Sequence, residues 1–144
     1  MVDNVELLDA MPFVRRHRQA VLITQRASGR PQSSNVVYAV DGTDTIYVSV
    51  TESRSKTTNA RRTPQVSMHI SRADFWAYVV LDCDVQLLPT AASPNDPTVN
   101  ALVEYYRELN GEHPDWDEYR QAMIDERRLL LRLTPTHAYG LLDR

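Results

Sequence analysis

One cysteine, Cys83, leaves no second thiol in the chain, so an internal disulfide scaffold is excluded. Glycine is equally scarce, with four residues in 144. There is no Gly-x-Gly-x-x-Gly, no Gly-x-x-x-x-Gly-Lys and no Gly-x-Ser-x-Gly, so Rossmann, P-loop and hydrolase readings lose their main support. His17, His69, His113 and His137 lie far apart with no Cys or His at ligand spacing, and no metal site is expected. Long apolar runs are also missing. Ala77-Tyr-Val-Val-Leu81 and Leu129-Leu-Leu131 are far too short to cross a bilayer, and the N-terminus lacks the apolar core of a secretory signal. A cytoplasmic protein with no membrane partner is expected. The net charge of −3 argues against a nucleic-acid partner.

What is present suits one domain over residues 1–144, since a chain 42% hydrophobic can bury a core at this length. Residues 6–18 read as a short helix, interrupted at Pro12. Residues 20–25, 34–40 and 45–51 read as strands, joined through Ala27-Ser-Gly-Arg-Pro31 and Asp41-Gly-Thr-Asp44 into an antiparallel meander. A polar helix follows from Ser53 to Arg62, stopped at Pro64, before strands over 65–70 and 75–81. Val99, Leu102, Val103, Tyr106 and Leu109 form one helical stripe ended by Gly111, and a second helix runs from Asp115 to Glu126. Segments 129–133 and 137–140 close the chain as strands separated by Thr134-Pro-Thr136. The pattern predicts an α+β fold built on a small antiparallel barrel of six or so strands.

Charge is unevenly spread. Residues 53–72 hold Arg54, Lys56, Arg61, Arg62 and Arg72 and no acid, whereas eight carboxylates from Glu104 to Glu126 mark a solvated helical face. With Ser53 as N-cap, Arg54 and Lys56 fall in the first helical turn, where the helix dipole disfavours cations and free N–H groups point outward. A phosphate would satisfy those N–H groups, both cations and the hydroxyls of Ser49, Ser55 and Thr57 together. A solvated basic helix with no ligand fits the same pattern.

Other candidates have equally plain alternatives. Trp76 and Tyr78, two apart on an expected strand, could wall a planar ring or simply pack. Gln32, Ser33, Ser34 and Asn35 could bond a heterocyclic edge or serve ordinary turn chemistry. His137 and Tyr139 share a face of the last strand. Cys83, between Asp82 and Asp84 in an apolar strand, reads as packing with a raised thiol pKa.

Taken in order, Gly29-Arg-Pro-Gln-Ser-Ser-Asn-Val36, Ser53-Arg-Ser-Lys-Thr-Thr-Asn-Ala-Arg-Arg62, Trp76-Ala-Tyr78, and Tyr105-Tyr-Arg107 through Gly111 to Arg120 resemble one known group. They are similar to the pyridoxamine 5′-phosphate oxidase-like superfamily of FMN-binding split β-barrels, and within it to the actinobacterial F420-dependent flavin/deazaflavin oxidoreductase B group. The likeness covers nearly the whole chain, including His137-Ala-Tyr-Gly140. It implies a six-stranded antiparallel split β-barrel with peripheral helices, forming a homodimer with cofactor sites shared between two chains. It also implies coenzyme F420 as cofactor, with FMN as the alternative. Arg54, Lys56 and Thr57 would stand at the phosphate with Asn59 close by. Gln32, Asn35 and Val36 would line the ring, Trp76 and Tyr78 would come from the second chain, and Arg61 would meet an acidic tail. Cys83 departs from the glycine expected in that strand.

The activity so implied is an oxidoreductase passing hydride to an electron-poor conjugated small molecule such as an enone, quinone or lactone. Because the cofactor carries the chemistry, a triad is not required. Water, Tyr78 or His137 could supply the proton. An FMN-dependent enzyme and a non-catalytic cofactor carrier are the competing expectations.

Overall fold

The computed structural model describes residues 3–142. Eight strands and four helices follow one another as β1 (Asn4–Val5), α1 (Leu7–Arg15), β2 (Gln19–Gln25), β3 (Pro31–Val37), β4 (Ala39–Val40), β5 (Ile46–Thr51), α2 (Ser55–Arg62), β6 (Gln65–Ser71), β7 (Tyr78–Leu87), α3 (Pro97–Asn110), α4 (Trp116–Asp125) and β8 (Arg128–Leu141). The α+β class expected from the sequence holds, but the strand count is eight and not six. The two additions are both two residues long: β1 carries no periodic signal, and β4 is split off from the stretch read as one strand over 34–40.

All strands pair antiparallel in one sheet ordered β3-β2-β6-β7-β8-β5-β4, with β1 alongside β8. Its curvature follows from the connectivity. β3 and β4 are separated in the chain by Tyr38 alone, yet they occupy opposite edges, so the sheet must curl until its edges meet. Tyr38, expected to lie within a single strand over 34–40, instead marks the break. It is 1% exposed, with its hydroxyl donating to Val14 O at 2.6 Å and its N–H to Arg18 O at 2.9 Å.

The barrel interior is filled by alternate residues of each strand, among them Leu22, Val48, Met68, Val79, Leu81, Leu129, Leu131 and Leu133. α3 and α4 cover the outside of β5 and β8 with Val99, Leu102, Val103, Tyr119 and Met123, which meet Leu130. The unbroken Leu129-Leu-Leu131 run is thereby explained: β8 is buried on both faces, so alternation disappears there.

The two closing strands expected from the sequence are one strand. β8 passes through Thr134-Pro-Thr136 with a register shift, Asp82 pairing with His137 and Cys83 with Pro135, which leaves Thr136 as the extra residue. α1 likewise continues past Pro12, which lies on its exposed side. Both later helices have an acidic N-cap, Asp96 accepting from Val99 N and Asp115 from Glu118 N, of which Asp115 is the helix start expected from the sequence. Among the described residues no helix is long and apolar enough to cross a membrane.

Candidate functional site

The curl brings β3 beside β5 and leaves a seam between them. Over it opens a cleft of about 340 Å³ whose walls come from β3 (Asn35, Val36, Val37), β5 (Ser49), α2 (Lys56), α3 (Tyr105), α4 (Tyr119, Met123) and the segment entering β8 (Glu126, Arg128). Four residues singled out in the sequence, Asn35, Val36, Ser49 and Lys56, thus meet across three elements.

α2 begins one residue later than the sequence suggests. Arg54 is the N-cap in extended conformation and Ser53 caps nothing, because no side chain closes this helix start. Thr57 explains the shift: it is fully buried, and its hydroxyl donates to Thr51 O at 2.7 Å, fixing the approach to the helix. The N–H groups of Thr57 and Thr58 both reach Arg54 O at 3.1 Å, while those of Ser55 and Lys56 have no acceptor among the described residues.

Lys56 is half-buried and makes no hydrogen bond or ion pair among the described residues. Burial, together with the guanidinium groups of Arg54 and Arg128, pushes its ammonium below the ordinary lysine value. Arg54 is exposed and equally without a partner. Arg128 donates from Nη1 to Ser49 Oγ at 3.3 Å and from Nε to Glu126 Oε1 at 2.9 Å. Tyr105 forms the far wall, its hydroxyl donating to Val37 O at 2.9 Å. Two cations, Lys56 and Arg128, therefore line the cleft with a single carboxylate, Glu126, and Arg54 stands near enough to Lys56 for its charge to be felt there.

The remaining sequence candidates lie elsewhere. Asn59 is buried and bonded internally, its Nδ2 donating to Thr24 Oγ1 at 3.2 Å and to Gln32 Oε1 at 2.6 Å, its Oδ1 accepting from Arg62 at 2.9 Å. Gln32 is thereby joined to α2 and does not line the cleft. Arg61 is paired with both oxygens of Glu52 at 3.1 Å, and Glu52 also accepts from the Thr90 hydroxyl.

Trp76 does not share a strand face with Tyr78. β7 starts at Tyr78, and Trp76 sits in the hairpin turn before it, beside Phe75 at φ 70°. Phe75 and Trp76 are 82% and 63% exposed, an unusual pair of large apolar rings at one tip. Tyr78 stacks on His69 with ring centroids 5.2 Å apart. His69 and Phe75 line a second hollow of about 430 Å³, which shares Asn35, Val36 and Val37 with the cleft. The two hollows form neighbouring parts of one trough across β3.

His137 joins neither hollow. Its Nδ1 lies 3.2 Å from Asp82 Oδ2 and its Nε2 3.1 Å from Asn4 Oδ1, tying β1, β7 and β8 together. Cys83 is buried, and burial with the charges of Asp82 and Asp84 pushes its thiol up to about 12, as its setting in the sequence suggests.

Arg128, Glu126, Tyr105 and His69 were not singled out by sequence. Arg128 had a faint signal, being a cation at the start of an apolar strand. Glu126 read as part of an acidic helix face, Tyr105 entered only within a segment that carries the family resemblance, and His69 only as one of four histidines without ligand spacing.

A family model described as pyridoxamine 5′-phosphate oxidase matches residues 9–142. Among solved structures, a conserved hypothetical protein from Mycobacterium tuberculosis is 19% identical over 95% of this chain and 84% of its own, with a TM-score of 0.74. An F420 reductase is 22% identical over 88% of this chain and 93% of its own, with a TM-score of 0.67. A heme storage protein from Vibrio cholerae is 17% identical over 96% of this chain and 98% of its own, again with a TM-score of 0.67. At these identities the likeness is one of fold, and the fold carries more than one cofactor chemistry.

Proposed function

The chain belongs to the pyridoxamine 5′-phosphate oxidase family, and on that footing we propose that it is a coenzyme F420-dependent oxidoreductase that passes hydride to an electron-poor conjugated small molecule such as an enone, quinone or lactone. The observation that carries this reading is Lys56, a half-buried ammonium without a partner among the described residues, set beside two guanidinium groups and two backbone N–H groups that likewise find no acceptor among them. Cations held together in a partly dry cleft are costly unless an anion joins them. The donor set suits a phosphate: point charge from Lys56, planar forks from Arg54 and Arg128, a hydroxyl from Ser49, and N–H groups at a helix start.

A deazaflavin bound there would supply hydride from a ring carbon. The chain's own residues do the rest. Lys56 and the α2 start hold the phosphate, Val36 offers an apolar floor and Asn35 an amide along β3, and the α3–α4 wall of Tyr105, Tyr119 and Met123 limits water on one side. The trough continues toward His69 and Phe75, and a planar ring joined to that phosphate would extend in that direction along β3.

The other side of the trough is open in one chain, and the reading includes a second copy to close it. The exposed Phe75–Trp76 tip supports that arrangement, since rings of this size gain most by burial against a partner.

The test is a parallel titration of the purified protein with coenzyme F420 and FMN, followed by mixing reduced F420 with a panel of enones and quinones. Micromolar F420 binding and cofactor reoxidation faster than the protein-free rate are expected. Stoichiometric FMN binding without F420 binding would replace this reading with an FMN enzyme, and binding without turnover of any acceptor would replace it with a carrier.

A further inference from the structure

We propose that Arg128 is the third cation of this anion site and that Glu126 holds its place, so that a phosphate entering the cleft takes Arg128 by exchange for the Glu126 carboxylate. The inference rests on the reading of the cleft as a phosphate site and adds to it a residue pair and a selection rule.

Arg128 reaches the cleft from β8, independently of α2, and its side chain already spans it. Nη1 touches Ser49 Oγ on β5 at 3.3 Å, and Nε binds Glu126 Oε1 at 2.9 Å. The Ser49 contact is long for a charged donor, so that part of the guanidinium is under-used. Arg128 is half-buried and Glu126 exposed, their side chains 31% and 46% accessible, and an ion pair this open to solvent is weak.

Glu126 is also badly placed for a carboxylate. It is the C-cap of α4, where the unpaired carbonyls of the last turn repel negative charge, and no basic residue lies in that turn. Arg128 is thus its compensating partner, and taking Arg128 away leaves that carboxylate uncompensated at the helix end, so the exchange needs a ligand that offers Arg128 more than Glu126 does. A phosphate, by contrast, meets Arg128, Lys56 and the start of α2 together and has no opposing dipole. The exchange favours ligands bearing a phosphate over those with only a ring, because a neutral ligand gives Arg128 no reason to leave Glu126.

The experiment measures dissociation constants of FMN, its phosphate-free counterpart riboflavin, and coenzyme F420 for the wild type and for Arg128→Ala, Arg128→Lys, Glu126→Gln, Lys56→Ala and the Arg128→Ala/Glu126→Gln double variant. Thermal melts of each protein without ligand report folding. For whichever phosphate ligand the wild type binds, Arg128→Ala is expected to weaken binding about 10- to 100-fold, the loss of one charged hydrogen bond. Glu126→Gln is expected to tighten it about threefold, and that gain is absent in the Arg128→Ala background. Riboflavin binding, where measurable, changes in neither. A wild-type constant in Arg128→Ala, or a Glu126→Gln gain that persists without Arg128, overturns the exchange. If Lys56→Ala weakens binding while Arg128→Ala does not, the phosphate site stands and only this inference falls. If no phosphate ligand binds the wild type, or neither variant weakens binding, the phosphate reading fails with it.

Discussion

Asn59 and Gln32, two side chains whose amides the sequence offers to a ligand, are bonded to each other, Asn59 Nδ2 donating to Gln32 Oε1 at 2.6 Å. That bond joins α2 to β3, and with Thr24 and Arg62 it forms a bracket that holds the middle and end of the helix against the barrel. Asn59→Ala strands Gln32 Oε1 and removes the Thr24 and Arg62 contacts. A loss of about 1–3 kcal/mol of stability is expected by urea denaturation. Asn59→Asp offers only acceptors to Gln32 Oε1 and is expected to be no better.

Gly140 lies at φ 146°, and a Cβ there would come within 2.3 Å of Tyr78 O and 2.9 Å of Val79 Cα. Both contacts are backbone, so no side chain can swing aside. Gly140→Ala is expected to cost roughly 3 kcal/mol or more, combining backbone strain with separation of β7 from β8. A midpoint of thermal unfolding within a degree of wild type would show that the strands part without penalty.

Lys56→Ala is expected to weaken binding of the phosphate-bearing cofactor by about 1.5–3 kcal/mol, the scale of one charged hydrogen bond. The lowered pKa gives this contact a pH signature. In the free protein the fold disfavours the ammonium, so Lys56 lowers stability while protonated, a cost that is full below its depressed pKa and is lost as pH rises from there past the unfolded value of 10.5. A bound phosphate reverses the preference and draws a proton onto Lys56. Affinity should therefore fall as pH climbs from that depressed value toward the ordinary 10.5, and the fall should be missing in Lys56→Ala. Isothermal titration across the alkaline range checks both.

Phe75 holds φ 70°, a conformation that costs a side-chain-bearing residue about 1–2 kcal/mol, while its own ring is 82% exposed. In one isolated chain Phe75→Gly should raise stability by about 1 kcal/mol. If two copies close the trough, the same change should weaken their association. Denaturation at high dilution and sedimentation at higher concentration separate the two effects, and unaltered self-association would remove the tip from the interface.

The parts of this fold that sequence reveals are those governed by local period. Strands β2, β5 and β6 and the helices α3 and α4 follow from alternation, a 3.6-residue stripe and Gly111 and Asp115 at helix ends. What stays hidden depends on distant partners. β1 and β4 exist only through pairing with β8 and β5, and the break at Tyr38 comes from sheet closure. The same holds for the site. Lys56 stands out because its charge sits where a bare helix would not choose it. Arg128 does not, since nothing in the residues around it tells that β8 will lie opposite Ser49. Trp76 misleads for a related reason: an alternating apolar run extends through a turn that only the Asp74 acceptor, taking Trp76 N at 3.0 Å, makes visible.

β8 stands between β7 and β5, so without it the sheet falls into two pieces, β3-β2-β6-β7 and β5-β4. It is also synthesised after every strand it joins. A growing chain can complete the four-stranded piece while still on the ribosome, but β5 has only the two-residue β4 beside it until residues 128–141 emerge. Pairings of such long sequence separation form slowly and leave edges open in the meantime. Nascent chains halted before residue 128 should accordingly be cut readily by protease within β5, and those halted once β8 has cleared the exit tunnel should resist. In this molecule the cleft is among the last things built, because the strand that carries Arg128 is the stitch that brings its two walls together.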